Sequence, residues 1–415
     1  MKSFFRTVFF YIRAQFFFRK VDIILSSSIV FNRGDKGENY FFKPFLNFCR
    51  LNNLTYIVFE EGDLSGSFAK FPRSDHAIQM WPIVLFGMIL RKLPFLISPR
   101  NNYSNESIED IINTMSAKLF LRNIECKNII TLIDHKAALW RSRFPLGNIF
   151  DYQHGVIYDG HYGYLKDGSP AKIKTSLKIK LLTHSRLVKE ILINKDHSQY
   201  YSEENITSIG YLAPIQSMKP DQQQSIKIIF TLQDASEGGA YDVEEKLYKK
   251  KVQRFIANNS QFFIDSNISI TLRHHPRADM RQQKNFLTHY SFVQKSIAES
   301  LFEDLHTHNL HMTFNSTAAC EAAFFGVPTI FLEIESPQHD DLPDLSAHDL
   351  FIKQLKYPLN NYMIHDSEGF QALLKEKASE IINPDPLFRK KLVTWHELLH
   401  EDFSEQKLLN ALEIL

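Results

Sequence analysis

Cationic and imidazole side chains are concentrated in one short stretch, LRHHPRADM, at the end of an apolar run. It contains Arg273, His274, His275, Pro276 and Arg277. Up to four cationic donors at the end of a strand suit a phosphate or a carboxylate. The proline ends the strand and fixes the turn, so we expect at least one imidazole to point into a cleft. A lone histidine is usually structural. This pair therefore indicates a binding site only in combination with other polar stretches that follow predicted strands.

A carboxylate holds a similar position in the stretch IIFTLQDASEGGAYD. Asp234 comes two residues after a predicted buried strand, with Gln233 and Ser236 close by. Such a carboxylate in a cleft could be a nucleophile toward an anomeric carbon or a general base, and glycosyl transfer needs both roles. Aspartate is also a common helix N-cap and turn residue, so both interpretations stay open.

Histidine and acid also occur together in FDYQHGVIYDGHYGY. This stretch holds His154, Asp159 and His161 among four tyrosines and three glycines. It is too polar and glycine-rich for a core element and too aromatic for an ordinary loop. A histidine beside a glycine can lie close to a ligand and act as a general base or a phosphate donor. The alternative is a tyrosine-rich packing loop.

Hydroxyl groups precede a predicted helix in HMTFNSTAACEAAFFGVPTIFLE. Asn315, Ser316 and Thr317 lie between a strand and a helix of small residues. Hydroxyls and free backbone N–H groups at the start of a helix are suited to an anion. Glu321 lies four residues after Thr317 on the same side, where its carboxylate could accept hydrogen bonds from ribose hydroxyls. The alternative is a capped, well-packed helix.

We expect neither a metal ion nor a separate cofactor. No Asp-x-Asp motif lies in a suitable place, and the pair Asp340 and Asp341 has no strand directly before it. Negative charge on a leaving group would then be stabilised by protein donors.

The elements that must position these residues alternate between strands and helices, which is typical of a layered α/β fold. We predict strands at 21–27, 55–59, 128–133, 206–209, 226–232, 268–272, 312–314 and 329–332. We predict helices at 40–51, 243–257 and 318–325, another near 292–302 and one at the C-terminus. A further helix is predicted to begin at the capping pair Ser107 and Asp110.

A polar segment, IQSMKPDQQQS at 215–225, separates two series of this alternation. We therefore predict two domains, 1–214 and 226–415. Two α/β domains joined by one linker form a cleft, and ligands of such sheets lie at the carboxyl ends of strands.

Composition excludes several classes of protein. The chain has 48 Lys and Arg against 47 Asp and Glu, so it has no general basic field for nucleic acid. Its three cysteines, Cys49, Cys126 and Cys320, are widely spaced and form no CxxC motif. This indicates a reducing compartment, the cytoplasm. No stretch reaches the roughly 20 apolar residues that cross a bilayer.

The N-terminal stretch MKSFFRTVFFYIRAQFFFRK combines cations with aromatic residues. At helical spacing Lys2, Arg6, Arg13 and Lys20 fall on one stripe, and seven phenylalanines surround the rest of the helix. One placement for residues 1–20 is a helix in the headgroup region of an anionic membrane, peripheral on the inner face of a bacterial inner membrane. The other is a first helix whose phenylalanines are core.

The order of the motifs QDAS, RHHP and NSTAACEAAFFGVPTIF resembles the nucleotide-binding half of GT-B glycosyltransferases that use CMP-activated sugars. It is most similar to the retaining β-Kdo transferases of bacterial capsule and O-antigen (lipopolysaccharide) assembly. The resemblance covers mainly 226–335, with QHG as further support. It implies two Rossmann-like domains facing each other across a cleft, the first for the acceptor and the second for CMP-Kdo. The last helix could cross back to the first domain.

The resemblance also implies roles for single residues. Asp234 would attack the anomeric carbon and form a glycosyl-enzyme, which an acceptor hydroxyl opens with net retention. His275, Ser316 and Thr317 would hold the CMP phosphate as it leaves, and Glu321 would bind ribose.

Other roles stay open at this point. His154, Asp159 or His161 could deprotonate the acceptor, and the extra His274 leaves open which imidazole of the pair acts. The expected partners are CMP-Kdo, a glycan acceptor that could be lipid-linked, and the inner-membrane surface. Two other enzyme functions are a sialyltransferase and a CDP-polyol phosphotransferase of the teichoic-acid type. A non-catalytic GT-B-like scaffold or binding subunit is the alternative outside enzymes.

Overall fold

The computed structural model describes residues 2–33, 37–61, 72–92, 105–161, 163–211, 224–232, 241–275, 286–298, 300–333 and 347–414. The chain divides into two compact units. The first consists of Met1–Leu212 with Glu401–Leu415, and the second is Ala213–His400. Most of the polar segment at which the sequence places the domain boundary, 215–223, lies outside the described residues.

Short parallel strands form the centre of each unit. In chain order the described strands are β1 (Arg19–Ser28), β2 (Asn32–Arg33), β3 (Glu38–Asn39), β4 (Tyr56–Glu61), β5 (Ile78–Gln79), β6 (Ile124–Leu132), β7 (Asn148–Tyr152), β8 (Leu165–Lys166), β9 (Ser169–Pro170), β10 (Lys180–Thr183), β11 (Ile206–Ser208), β12 (Lys227–Thr231), β13 (Ser269–Arg273), β14 (Val293–Lys295), β15 (Leu310–Thr313), β16 (Thr329–Leu332) and β17 (Met363–Ile364).

Helices connect most of these strands. The described α-helices are α1 (Lys2–Phe16), α2 (Lys43–Leu51), α3 (Trp81–Lys92), α4 (Asn105–Phe120), α5 (Ala137–Arg143), α6 (Lys172–Leu177), α7 (Arg186–Lys195), α8 (Tyr241–Asn258), α9 (Ser260–Asp265), α10 (Leu301–Thr307), α11 (Ala318–Phe324), α12 (Ser367–Ile382), α13 (Pro386–Leu399) and α14 (Glu405–Leu412). Short 3₁₀ turns at Ile29–Phe31, Tyr40–Phe42 and Asn360–Tyr362 and a π-helix at His348–Gln354 complete them.

Each unit contains one all-parallel sheet, which confirms the predicted α/β class. The order is β11–β10–β7–β6–β1–β4–β5 in the first unit and β14–β13–β12–β15–β16–β17 in the second. Strands buried on both faces need near-continuous apolar runs, and Ile23, Ile24 and Leu25 of β1 are all fully buried. The same holds for Ile228, Ile229 and Phe230 of β12.

The strand order reverses once in each sheet. The chain adds β4 and β5 on one side of β1 and then places β6 on the other side. In the second unit it adds β13 and β14 on one side of β12 and then places β15 on the other. Such a reversal leaves a crevice outside the carboxyl ends of the two strands that flank it, and ligands of open α/β sheets bind there.

The end of the chain packs into the first unit. The N–H of Tyr211 donates to the carbonyl of Glu401 at 2.8 Å, and the N–H of Ser404 donates to that of Ile209 at 2.7 Å. Leu408 of α14 is fully buried in the core of that unit. Gly210 has a φ of +86°, and a Cβ there would overlap the carbonyl oxygen of Asp402, so this approach requires glycine.

Two predicted helix positions are wrong. The helix expected near 292–302 is instead strand β14 followed by α10. Val293 pairs with Ile270 of β13, and the Ser300 hydroxyl caps α10 by accepting from the N–H of Glu303. A three-residue edge strand is too short to show its own period, so neighbouring apolar residues suggested a helix. The helix α4 begins at Asn105, so Ser107 lies within it rather than before it.

Candidate functional site

The crevice of the first unit is lined by a linked row of polar side chains. Ser26 lies near the end of β1, Glu61 ends β4, and His135 follows β6. The Ser26 hydroxyl lies 3.0 Å from His135 Nδ1, and His135 Nε2 lies 3.0 Å from Glu61 Oε2. Lys136 Nζ contacts the other oxygen of Glu61 at 2.6 Å. Three separate strands therefore bring these groups together at the reversal point.

The electrostatics of this row leave an ionised carboxylate at its outer end. Burial alone would raise the pKa of Glu61, but the hydrogen bond from His135 and the charge of Lys136 outweigh it and hold the pKa at about 2. Burial lowers the pKa of His135, so its ring stays neutral. Ser26 is fully buried, whereas 27% of the Glu61 side chain and 32% of the Lys136 side chain are exposed. A ligand in the crevice would meet the carboxylate and the ammonium, not the hydroxyl.

The turn after β6 has an unusual backbone. Ile133, Asp134 and Lys136 all have φ values of +52° to +56°. A β-branched residue rarely adopts this left-handed region, and such strain is concentrated at functional sites. The turn directs His135 and Lys136 toward β4 while Asp134 points to α6.

A second buried cluster lies next to this turn. Lys174 Nζ contacts Asp134 at 2.8 Å and Asp151 at 2.9 Å, and the Lys174 side chain is 1% exposed. The ring of Tyr164 lies 4.5 Å from the same ammonium. Burial would lower the pKa of Lys174, but the two carboxylates raise it above its ordinary value. Burial and the neighbouring Asp151 raise the pKa of Asp134 to about 7, so this carboxyl gains and loses its proton near neutral pH.

The predicted QHG loop packs onto this cluster through Tyr164. The N–H of His154 donates to the Tyr164 hydroxyl at 3.3 Å, and its ring lies 4.9 Å from that of Phe31 and 5.0 Å from that of Phe41. The ring of His161 lies 5.0 Å from that of Tyr164. The loop therefore brings His154 and His161 to one tyrosine.

His161 and Asp159 of this loop make different polar contacts. His161 Nδ1 accepts the N–H of Gly163 at 3.2 Å, and burial lowers its pKa, so the neutral ring carries its proton on Nε2. In this tautomer Nε2 can donate a hydrogen bond to a ligand but cannot accept a proton. Asp159 lies 3.6 Å from Lys195.

The second unit has its own buried network at the reversal point. On β15, His311 Nε2 lies 2.8 Å from the Thr231 hydroxyl of β12, and His311 Nδ1 lies 2.9 Å from the Thr329 hydroxyl of β16. Burial lowers the pKa of His311 to about 3, so the ring is neutral and bonds to a hydroxyl at each nitrogen. This network joins β12, β15 and β16, and β12 and β15 are two of the strands that the predicted donor residues follow.

Asn315, Ser316 and Thr317 follow β15, as predicted from the sequence. The N–H of Ser316 donates to Thr313 Oγ1 at 3.3 Å, and Ser316 Oγ accepts from the N–H of Ala318 at 3.2 Å. Thr317 is at the N-cap of α11, but its side chain makes no capping hydrogen bond. All three residues are partly exposed.

Glu321 lies on α11, four residues after Thr317. Its Oε2 atom is buried and has no hydrogen-bond partner among the described residues. Burial raises its pKa to about 7. A buried carboxylate oxygen without a donor is costly, and the hydroxyl of a bound ligand would satisfy it.

The RHHP stretch lies partly within the described residues. The Arg273 guanidinium forms an ion pair with Asp304 and donates to Ser296 Oγ and the carbonyl of Ala298, both at 3.2 Å. It therefore holds the segment between β14 and α10. His274 lies 6.1 Å, ring to ring, from Phe286, and His275 is partly exposed at the end of the described stretch. The predicted Gln233, Asp234, Pro276 and Arg277 lie outside the described residues.

Solved structures share this two-unit architecture. UDP-GlcNAc 2-epimerase from Neisseria meningitidis bound to UDP-GlcNAc has a TM-score of 0.53 at 10% identity, covering 95% of this chain and 100% of that chain. The glycotransferase of kitacinnamycin has a TM-score of 0.51 at 11% identity, covering 95% and 99%. The wall teichoic acid polymerase TagF has a TM-score of 0.50 at 13% identity, covering 94% and 88%. The chain has the GT-B fold. No protein-family model and no curated protein matches the sequence.

The polar row of the first unit was not predicted from the sequence. Ser26, Glu61 and His135 each lie at or just after the end of an apolar run, in ILSSS, VFEEG and TLIDH. The rule that selects residues following strands would have found them. Among the residues that the structure describes, no group of three or more His, Cys, Asp or Glu could hold a metal ion.

Proposed function

We propose that this chain is a glycosyltransferase that transfers Kdo from CMP-Kdo to a glycan acceptor in surface-polysaccharide synthesis, either O-antigen or capsule. Its expected place is the cytoplasmic side of the bacterial inner membrane. The observation that carries the proposal is the buried carboxylate oxygen of Glu321, which has no hydrogen-bond partner among the described residues and lies on α11, the helix that follows β15. Beside it, the hydroxyl groups of Ser316 and Thr317 follow β15. The resemblance of the motif order supports the proposed donor class.

The donor roles proposed are those that the resemblance implies. Glu321 accepts hydrogen bonds from the ribose hydroxyls, while Ser316, Thr317 and His275 donate to the phosphate as CMP leaves. Asp234 then holds the sugar as a glycosyl ester, and an acceptor hydroxyl breaks that ester bond and gives net retention.

We infer that the acceptor binds at Glu61 and Lys136. The ionised Glu61 carboxylate accepts from sugar hydroxyls, and the Lys136 ammonium can pair with an acidic group on the acceptor. Ser26 and His135 fix the position of that carboxylate. Of the three residues considered for taking the acceptor's proton, His154 and Asp159 remain candidates, whereas the neutral His161 ring would donate a hydrogen bond.

The direct test is the intact mass of the protein after incubation with CMP-Kdo. We expect a gain of one Kdo on the parent protein and none on Asp234→Asn, because the amide cannot form the glycosyl ester. Asp265→Asn, which changes an exposed carboxylate on α9, is the control and should keep the adduct. CMP-sialic acid, CDP-glycerol and UDP-GlcNAc are run in parallel. Turnover of one of these donors, with no Kdo adduct on any protein, would reject the proposed donor.

Nucleotide binding should depend on Glu321 and on the ribose. Replacing Glu321 by glutamine removes a charged acceptor, and the expected loss in CMP affinity is roughly 10- to 100-fold. The loss should be much smaller for 2′-deoxy-CMP, which lacks one of the hydroxyls. Calorimetric titration of both ligands measures this, with the exposed Glu376→Gln as control.

The same residue should make binding depend on pH. The pKa of Glu321 is raised to about 7, so its carboxylate forms as the pH rises from about 6 to about 8. CMP affinity of the parent should therefore rise over this range more steeply than that of Glu321→Gln, since the ionisation of CMP itself is common to both. Parallel pH profiles would contradict a ribose-binding carboxylate.

A further inference from the structure

The N-terminal helix α1 has two apolar faces, and the core covers one of them. Phe10, Tyr11 and Ala14 are buried against the first unit. The other face carries four large side chains at spacings of four, three and four residues, each between 56% and 76% exposed: Phe5, Phe9, Ile12 and Phe16. Core packing therefore accounts for only part of the phenylalanine content of this helix.

The exposed face continues onto two neighbouring helices. Phe4 of α1 stacks on Trp81 of α3 with ring centroids 5.7 Å apart, and Tyr11 of α1 and Phe86 of α3 both contact Phe120 of α4. These helices expose five further apolar residues, Leu85, Met88, Ile89, Met115 and Leu119. We call the exposed apolar residues of α1, α3 and α4 the outer apolar face. Monomeric proteins rarely expose contiguous apolar surface of this extent without an interaction to cover it.

Positive charge surrounds this face. Neither α1 nor α3 contains an acidic residue. Arg13, Arg19 and Lys20 are exposed beside the aromatic stripe, and α3 ends in Arg91 and Lys92. The sequence of α4 contains Glu106, Glu109 and Asp110, and Glu109 pairs with Arg91. The cations of α1, the start of β1 and α3 still outnumber these acids. A second copy of this chain would bring the same cations together, whereas an anionic surface would neutralise them.

We propose that the outer apolar face docks on the surface of an anionic lipid bilayer, with α1 lying in the plane of the headgroups. The aromatic side chains would enter the acyl boundary while Arg13, Arg19 and Lys20 contact lipid phosphates. No helix in the described part of the chain is long and apolar enough to span a bilayer, so this is attachment to one leaflet. The surface lies on the unit to which we assign the acceptor, and a lipid-linked acceptor would be presented there.

Vesicle co-sedimentation of the full chain tests this without any sugar donor, so its result is independent of the proposed activity. Phosphatidylcholine vesicles with and without phosphatidylglycerol are compared. We expect binding to the anionic vesicles, and at least about a tenfold lower partition coefficient for Phe5→Ser/Phe9→Ser/Phe16→Ser, because the variant lacks three of the aromatic rings that would enter the acyl boundary. The matched control changes three exposed apolar residues elsewhere: Leu146→Ser/Ile297→Ser/Leu387→Ser. It should bind like the parent.

Two further measurements complete the test. Urea unfolding should show little loss of stability in the Phe variant, since the replaced rings are exposed. Replacing Arg13 and Lys20 by glutamine should weaken binding to anionic vesicles and leave the weak binding to neutral ones unchanged. Equal binding of the parent and the Phe variant would overturn the proposal. So would self-association of the parent that is lost in the Phe variant without any vesicle binding, since it would assign the face to a second copy.

Discussion

Replacing Lys174 by methionine is expected to lower the free energy of unfolding by about 3 to 5 kcal/mol, the usual cost of removing one partner from a buried ion pair. The Lys174 ammonium contacts Asp134 and Asp151, and all three side chains are at most 9% exposed. Without the ammonium, two buried carboxylates would face each other with no described cation between them. Urea denaturation of the two proteins at neutral pH measures the difference.

Controls separate the buried charge from the loss of a lysine in general. Lys166→Met on the exposed side of β8 should change stability by no more than about 0.5 kcal/mol. The double variant Lys174→Met/Asp134→Asn should recover part of the loss, because it removes one of the two opposed charges. A loss below about 1 kcal/mol in Lys174→Met would show that water or rearrangement solvates the carboxylates.

The pH dependence of this cluster has a definite sign. The pKa of Asp134 is about 7 in the folded chain and about 3.9 in an unfolded one. Between these values the folded state keeps a proton that the unfolded state releases, so stability from this group falls as the pH rises from about 4 to about 7. Because Lys174 lowers the pKa of Asp134, Lys174→Met should raise this pKa further, so its loss of stability relative to the parent should grow as the pH rises above about 7. Asp134→Asn should flatten the parent's fall in stability between about pH 4 and pH 7.

Replacing Glu61 by glutamine is expected to raise the KM for the acceptor by roughly 10- to 100-fold, because a charged acceptor of sugar hydroxyls becomes a neutral one. The KM for the donor should stay unchanged, since the proposed donor residues lie in the other unit. Initial rates with each substrate varied in turn measure both constants.

The neighbouring Glu60 provides a matched comparison. It is fully buried and accepts from Asn32 at 3.0 Å, Gln79 at 2.9 Å and the N–H of Ser74 at 3.2 Å. Glu60→Gln should therefore lower stability and leave the acceptor KM unchanged. If Glu60→Gln raised the acceptor KM as much as Glu61→Gln does, the effect would be general damage to β4 and not loss of an acceptor contact.

Sequence patterns alone determined the alternation of strands and helices and the placement of Asn315, Ser316 and Thr317 after a strand. Strands of a parallel sheet are buried on both faces, so runs such as Ile228–Phe230 are apolar without interruption, and the polar residues that follow mark the strand end. These are local properties, set within a few residues. The edge strand β14 was missed because three residues do not establish a period.

Only the tertiary structure decided which strand ends meet. Ser26, Glu61 and His135 are separated by dozens of residues, and they become neighbours because β1 lies between β4 and β6. Strand order depends on non-local packing, which hydrophobic periodicity does not encode. For the same reason, the sequence could not show that Lys174 lies between two carboxylates, that an oxygen of Glu321 is buried, or which face of α1 the core leaves uncovered.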